Sequence, residues 1–326
     1  MPDASAPRVV AVVGAGGYIG GQLVNALARE PGTIERIIAM DVKPATFEDP
    51  RGLVTVEDLD VRSARLGEVI ELHHADTVVH LASVVTPPKG MTRNEQYAID
   101  VDGTHNVLEA CVEHGVRQVV VTSSGAAYGY HVDNPTWIDE GCPLRGNEEF
   151  PYARHKRLVE ELLARYRDRH PELIQLVFRP GTILGPTARN QITALFERPV
   201  MLKVSGGDSR FVFAWDTDVV DCLVKGIRER SAGTYNLAGD GAMTAEEIAG
   251  VTGARVVSLP AAWLAMGLSV GRAVGATDLG PEHVSFLRYR PVLSNAALKS
   301  GFGFVPSHTS RQAFEAYWRS VSASRH

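Results

Sequence analysis

Arg8-Val9-Val10-Ala11-Val12-Val13 runs directly into Gly14-Ala15-Gly16-Gly17-Tyr18-Ile19-Gly20-Gly21, and a helical pattern follows to Arg29. This junction limits the possible folds more than any other stretch. A short apolar run, β-branched at most positions, suits a strand buried on both faces. Strand, glycine turn and helix in that order are the setting in which a glycine fingerprint serves a dinucleotide. The glycines permit a tight turn, let backbone N–H groups approach a pyrophosphate, and bring helix against strand. The anion would rest at the helix N-terminus, where unpaired N–H groups and the dipole favour negative charge.

The pattern then repeats. A second strand, Arg36 to Met40, ends in Asp41, about 20 residues beyond the last glycine. A carboxylate there accepts hydrogen bonds from a ribose diol and repels a 2′-phosphate, which favours NAD over NADP; Lys43 lies close enough to keep NADP in play. A third strand, Gly52 to Val56, leads to Asp60, suited either to an adenine amino group or to capping a helix that begins near Ser63. Thr77 to Ser83 reads as a fourth strand whose small carboxyl-end residues would let a cofactor lie close, with His80 part of the strand rather than of a site. A helix is expected over Glu95–His114, a fifth strand over Arg117–Thr122, and a sixth over Leu173–Phe178. This alternation specifies an α/β fold with a doubly wound parallel (Rossmann) sheet. Ligands bind such sheets at the carboxyl ends of the strands, where Ser124 would also lie, as a ligand or as an ordinary turn serine.

Tyr152 and Lys156 stand four apart in Pro151-Tyr152-Ala153-Arg154-His155-Lys156, neighbours on one helix face. A tyrosine ionises near pH ~10, and an ammonium beside it lowers that by roughly one to three units. Tyr152 then becomes a candidate acid or base. Beyond Gly181 the alternation turns irregular: helices over Gln191–Glu197, Asp216–Arg228 and Thr244–Gly250, strands over Val200–Val204 and Gly233–Leu237, and a last helix from about Thr309. The expected division is a cofactor domain over 1–180 and a smaller C-terminal α/β substrate region over 181–326, with some later segments returning to the first core. The apolar segment Pro260 to Val274 suits a lid or a piece of core.

The net charge of −5 gives no support for a nucleic-acid or membrane-surface partner. Cys111, Cys142 and Cys222 form no CxxC pair, which argues against a metal site of that kind and for a reducing compartment. The start of the chain lacks the features of a signal peptide. A cytoplasmic protein with a small-molecule substrate is the expectation.

Gly14-x-x-Gly17-x-x-Gly20, Asp41, Asp60, His80-Leu81-Ala82, Ser123-Ser124-x-x-x-Tyr128-Gly129, Tyr152-x-x-x-Lys156 and Arg179-Pro180 together resemble an extended short-chain dehydrogenase/reductase. More narrowly, they resemble the NAD-dependent epimerase/dehydratase group that includes UDP-glucose 4-epimerase, over about residues 8–240. The resemblance implies a catalytic triad of Ser124, Tyr152 and Lys156. Tyr152 would exchange the hydroxyl proton, Ser124 would hydrogen-bond the substrate oxygen, and Lys156 would bind the nicotinamide ribose. It further implies that NAD contacts Gly14, Gly17, Tyr18, Ile19, Gly20, Asp41, Asp60, Val61, Leu81, Ala82, Ser83, Arg179 and Pro180 besides the catalytic pair. The substrate would meet Ser124, Tyr152 and Arg210. Helices like Glu95–His114 and Tyr152–His170 pair into a dimer interface in this family, so a homodimer is expected.

Departures narrow the choice. Gly125 and Ala126 replace the Asp-Glu pair of the 4,6-dehydratases, which removes the acid/base pair for water elimination. The Asn that commonly follows the sixth strand of nucleotide-sugar epimerases is missing from Arg179 to Pro186. Phe211-Val212-Phe213-Ala214 follows Arg210 without the usual His, so Arg210 either meets a phosphate or pairs with a carboxylate. Asp100 stands where an Asn is often seen. The expected function is NAD-dependent oxidation of a secondary alcohol or reduction of a ketone, most specifically as a nucleotide-sugar 4-epimerase. The alternative is a dehydrogenase of a bulky apolar hydroxy compound, like the hydroxysteroid dehydrogenases or dihydroflavonol reductases. A non-catalytic NAD(H) sensor would have lost Tyr152 or Lys156, and both are present.

Overall fold

The computed structural model describes residues 8–207, 209–273, 280 and 283–323. Strand β1 is Arg8–Val13, helix α1 Tyr18–Arg29, β2 Ile34–Asp41, β3 Val54–Asp58, α2 Arg65–Leu72 and β4 Thr77–His80. Helix α3 (Arg93–Tyr97) passes through a π-helical segment, Ala98–Asp102, into α4 (Gly103–Glu113). Strand β5 is Gln118–Thr122, α5 Pro151–Arg169 and β6 Ile174–Pro180.

The strands form one sheet in the order β6-β5-β4-β1-β2-β3, extended beyond β6 by Gly233–Leu237. The pairings among β1 to β6 are all parallel, and the order reverses between β1 and β4. Val13 is in register with Met40 on one side and His80 on the other, so the carboxyl ends of three strands lie level at the reversal. This is the place where doubly wound sheets bind ligands. Val10, Val12, Val78, Val79, Val119 and Val120 are buried, which explains the unbroken β-branched runs: with both faces covered, no position has reason to be polar. The expected doubly wound α/β fold is the observed one.

The chain falls into two compact units that alternate along the sequence. The first comprises residues up to Ser123, His155–Arg179 and Asp216–Tyr235; the second comprises Ser124–Arg154, Pro180–Trp215 and the chain from Asn236 onward. Within the first, helix Asp216–Glu229 packs on α1 and β5. Within the second, strands Val200–Val204 and Arg255–Leu259 pair in parallel. Phe196, Phe211, Phe213, Phe314 and Tyr317 build an aromatic core there. Helix Ala245–Thr252 opens with a capping box of Thr244 and Glu247.

Two elements differ from expectation. The helix expected over Glu95–His114 is interrupted by the π-helical segment, which carries Asp100 inward to 4% exposure. Helix Ala261–Ala273 is neither wholly lid nor core: Leu264 is buried, whereas Trp263, Met266 and Val270 are exposed.

Candidate functional site

The glycine turn packs closely against the chain's own backbone. Gly14 has φ +91°, and a Cβ on it would lie 2.5 Å from the Ala82 backbone nitrogen. A Cβ on Gly20 would lie 2.1 Å from the Gly14 carbonyl oxygen. These two glycines hold β1, β4 and α1 together at the reversal point; Gly17 is the N-cap of α1, and no side chain caps that helix. The helix dipole makes this uncapped end, at Tyr18, Ile19 and Gly20, positive, as a pyrophosphate requires. The Tyr18 hydroxyl donates to Asp216 Oδ2 at 2.6 Å.

Asp41, at the end of β2, accepts from Gly16 N at 2.9 Å and from Lys43 N at 2.8 Å. It fixes the glycine turn against the following loop, and each carboxylate oxygen retains a second lone pair for a diol. Asp60 does not cap α2, whose N-cap is Ala64. Its carboxylate accepts from Arg62 Nε at 2.9 Å and from the Arg62 backbone. The hydrogen bond from the Arg62 side chain holds its pKa below the usual carboxylate value. Val61 is buried beside it, against Gly103. Leu81 and Ala82 continue from β4, and both donate their N–H to the Val13 carbonyl. The residues that could hold NAD at its adenosine and pyrophosphate therefore fit the group: a glycine cradle closed to any Cβ, an uncapped helix end and a carboxylate at the second strand.

Lys156 is buried on α5, and its Nζ donates to the Thr122 carbonyl at the end of β5, 3.0 Å away. Burial lowers its pKa, while the charges of Asp100 and Glu160 pull it back up. Tyr152 is one turn earlier on the same helix, half-buried in a cluster of the second unit with Ala126, Phe150, Ala153, Tyr130 and Phe286. Ser124 belongs to that unit too; its Oγ accepts from Ala126 N at 3.1 Å and opens a short 3-10 turn. The neighbouring phenol, Tyr130, is pushed up to about 12 by burial, so it cannot move a proton near neutrality.

Not every expected residue presents its side chain. The Arg179 guanidinium is buried and clamped on Glu160, with Nε 2.8 Å from Oε1, and Ser123 Oγ donates to the same carboxylate at 2.5 Å. Arg179 and Pro180 therefore offer backbone at the strand end. Ser83 Oγ donates to Asp100 Oδ1 at 3.0 Å. His80 belongs to its strand as expected: it is buried, its Nε2 lies 2.9 Å from Thr104 Oγ1, and burial followed by the Lys156 charge pushes its pKa down to about 3. Arg210 opens a two-residue strand paired with Met243–Thr244 in the second unit.

The sequence pattern did not single out Arg290. Its guanidinium lies over the rings of Phe211 and Phe286, 4.2 and 4.1 Å from their centroids. Its Nε and one terminal nitrogen are buried with no hydrogen-bond partner among the described residues. Burial lowers its pKa to about 10. The signal available was Arg288-Tyr289-Arg290-Pro291, two cations beside a proline in an otherwise apolar stretch. His155 and Glu160, both buried partners of the lysine's surroundings, were likewise hidden inside an amphipathic helix. No cluster of His, Cys, Asp and Glu able to hold a metal ion occurs among the described residues, and among them no helix is long and apolar enough to cross a membrane.

Comparison with known proteins gives the family. An uncharacterized protein of Mycobacterium tuberculosis is 26% identical over 316 residues, covering 96% of this chain and 84% of that one. The 3beta-hydroxysteroid-dehydrogenase/decarboxylase isoform 2 of Arabidopsis thaliana is 28% identical over 228 residues, 66% of this chain and 38% of that one. Among solved structures, MoeE5 in complex with UDP-glucose and NAD superimposes with a TM-score of 0.72 at 24% identity, covering 98% of this chain and all 100% of that one. The family model of the NAD dependent epimerase/dehydratase family matches residues 10–238, the span that carries the glycine turn, the strand-end carboxylate and the tyrosine–lysine helix. The chain belongs to that family and is an NAD-dependent epimerase or dehydrogenase.

Proposed function

We propose that the chain acts on a nucleoside-diphosphate sugar, as a 4-epimerase, with Ser124, Tyr152 and Lys156 as its catalytic residues. The observation that carries this reading is Arg290. A guanidinium whose N–H edge is buried and unpaired is costly unless an anion meets it. The two phenyl rings against it satisfy its plane but not its donors. A diphosphate supplies the missing acceptors, whereas a sterol or flavanol would leave them empty. Arg210 and Arg288 belong to the same unit.

NAD, when bound, takes up and returns the hydride. The chain's own share is proton handling and orientation. Tyr152 holds the proton that the substrate hydroxyl gives up, at its Oη. Lys156, kept an ammonium one turn away, favours the phenolate and meets the ribose. Ser124 gives a hydrogen bond to the oxygen as it changes from hydroxyl to carbonyl. Gly125 and Ala126 offer no acid/base pair, so water elimination is not part of the reaction.

Calorimetric titration of the NAD-loaded protein with UDP, dTDP and GDP tests the reading. At least one should bind, and Arg290→Leu should weaken it tenfold or more, the loss of a charge-assisted hydrogen bond. No binding of any of the three, together with net absorbance change at 340 nm on an apolar alcohol, would move the protein to the second reading. That reading, a dehydrogenase of a bulky apolar hydroxy compound, is favoured by the aromatic wall of Tyr130, Phe150 and Phe286 and by the hydroxysteroid dehydrogenase relative. Tyr152→Phe should abolish turnover in either case, while NAD binding persists.

A further inference from the structure

Lys156 lines a small cavity with room for about one water, together with His80, Ser83, Asp100 and Thr104 among others. Every charged group around it can be accounted for. Glu160 is matched by Arg179. His80 stays neutral, because burial and the lysine's charge oppose its protonation. Among the described residues this leaves one ammonium, Lys156, and one carboxylate, Asp100, on the cavity wall.

Asp100 is tied on three sides. Oδ1 accepts from Val84 N at 2.8 Å and from Ser83 Oγ at 3.0 Å, and Oδ2 lies 2.8 Å from His155 Nδ1. The Asp100 and His155 side chains are only 3% and 2% exposed. Three donors thus converge on one carboxylate. The imidazole is itself fixed, with the Tyr97 ring meeting it edge-on at 5.6 Å and 86°. A neutral Asn at position 100 could accept from the loop but could not balance the lysine. His155 stands immediately before Lys156 in the chain, so one helical segment supplies both the cation and the donor that holds its counter-ion.

We propose that Asp100 and His155 form a positioning pair for Lys156: the carboxylate supplies the counter-charge that lets the lysine remain an ammonium in the core, and the imidazole, donating through Nδ1–H, holds that carboxylate on target. The pair also ties the loop after β4, through Ser83 and Val84, to the helix that bears Tyr152 and Lys156. It rests on Lys156 meeting the cofactor. The groups that bear on its titration are Asp100 from the π-helical segment, His80 from β4, His155 and Glu160 from α5, Arg179 from β6 and Tyr97 from α3.

The test is the pH dependence of NAD⁺ affinity, measured by calorimetry from pH 6 to 10 for the wild type, Asp100→Asn and His155→Ser. Removing the carboxylate lowers the lysine's pKa. The alkaline loss of affinity in Asp100→Asn should therefore begin about one pH unit or more below that of the wild type, with affinities alike at pH 6, where Lys156 is charged in both. His155→Ser should fall between them. Coincident alkaline limbs in folded protein overturn the proposal. A measurement on the wild type alone stands beside it: ¹⁵N shifts of His155 at pH 8 should show a proton on Nδ1, the nitrogen facing Asp100, and a ring protonated only at Nε2 would refute the pairing. Failure of every form to bind NAD⁺ at any pH would instead sink the cofactor assignment of Lys156.

Discussion

Single residues at the site are constrained in two different ways. Gly20 is constrained by space: its Cβ would meet the Gly14 carbonyl oxygen at 2.1 Å, and backbone cannot give way as a flexible side chain does. Gly20→Ala should lower stability by about 1–3 kcal/mol, the cost of overpacking, and should abolish NAD⁺ binding even below the melting temperature. Calorimetry beside thermal unfolding separates the two effects. Glu160 is constrained by charge. It is the buried partner of Arg179 and accepts from Ser123. Glu160→Gln leaves a buried guanidinium without its counter-ion and should cost about 3–5 kcal/mol in urea unfolding. The double change Glu160→Leu/Arg179→Met removes both charges and should cost less than the single one. A single variant milder than the double would mean that the pair contributes no charge compensation.

At the scale of elements, strand β4 carries a pH dependence. His80 is buried neutral, with its pKa pushed down to about 3 from an ordinary 6.5, so below 6.5 the unfolded chain binds a proton that the folded chain refuses. Stability therefore rises with pH between about 3 and 6.5, by up to about 1.4 kcal/mol per unit for this group, and the contribution is complete above 6.5. His80→Asn should be less stable than the wild type at pH 7, with the gap narrowing as pH falls to 4. A gap independent of pH would show that His80 does not titrate in this way. The strands themselves were legible in the sequence, because burial on both faces leaves an unbroken apolar run that no helix of that length would show. The π-helical segment over Ala98–Asp102 was not, since its hydrophobic spacing differs from that of an α-helix by one residue and Asp100 reads as a polar surface position. Tyr152 and Lys156 stood out by their spacing. Arg290 did not, because its meaning comes from Phe211, far away in sequence, and from Phe286, next to it only after folding.

At the scale of the whole molecule, the alternation of the two units along the chain means that no single cut yields both, and a pattern read in chain order shows helix Asp216–Glu229 without showing which core it joins. Association between copies belongs to this scale. On α5, Arg154, Arg157, Leu158 and Glu161 are only partly buried and recur at helical spacing, so they line one outward face. Leu158, with Val112 of α4 and Tyr166, packs only in part against the core beneath. Tyr166 also meets His105 of α4 edge-on at 6.0 Å, which keeps the two helices side by side. A face of this kind, mixed in polarity with an aliphatic centre, suits a two-fold contact in which each residue meets its own copy's counterpart nearby. The protein should sediment at twice its 35.3 kDa at micromolar concentration. Leu158→Glu, which sets like charges against each other across such a contact, should bring it to the single-chain mass without lowering the melting temperature of the isolated chain. Wild-type protein that already sediments at the single-chain mass would remove α4 and α5 as an interface, and the partly buried leucine would then be explained by its packing on the core alone.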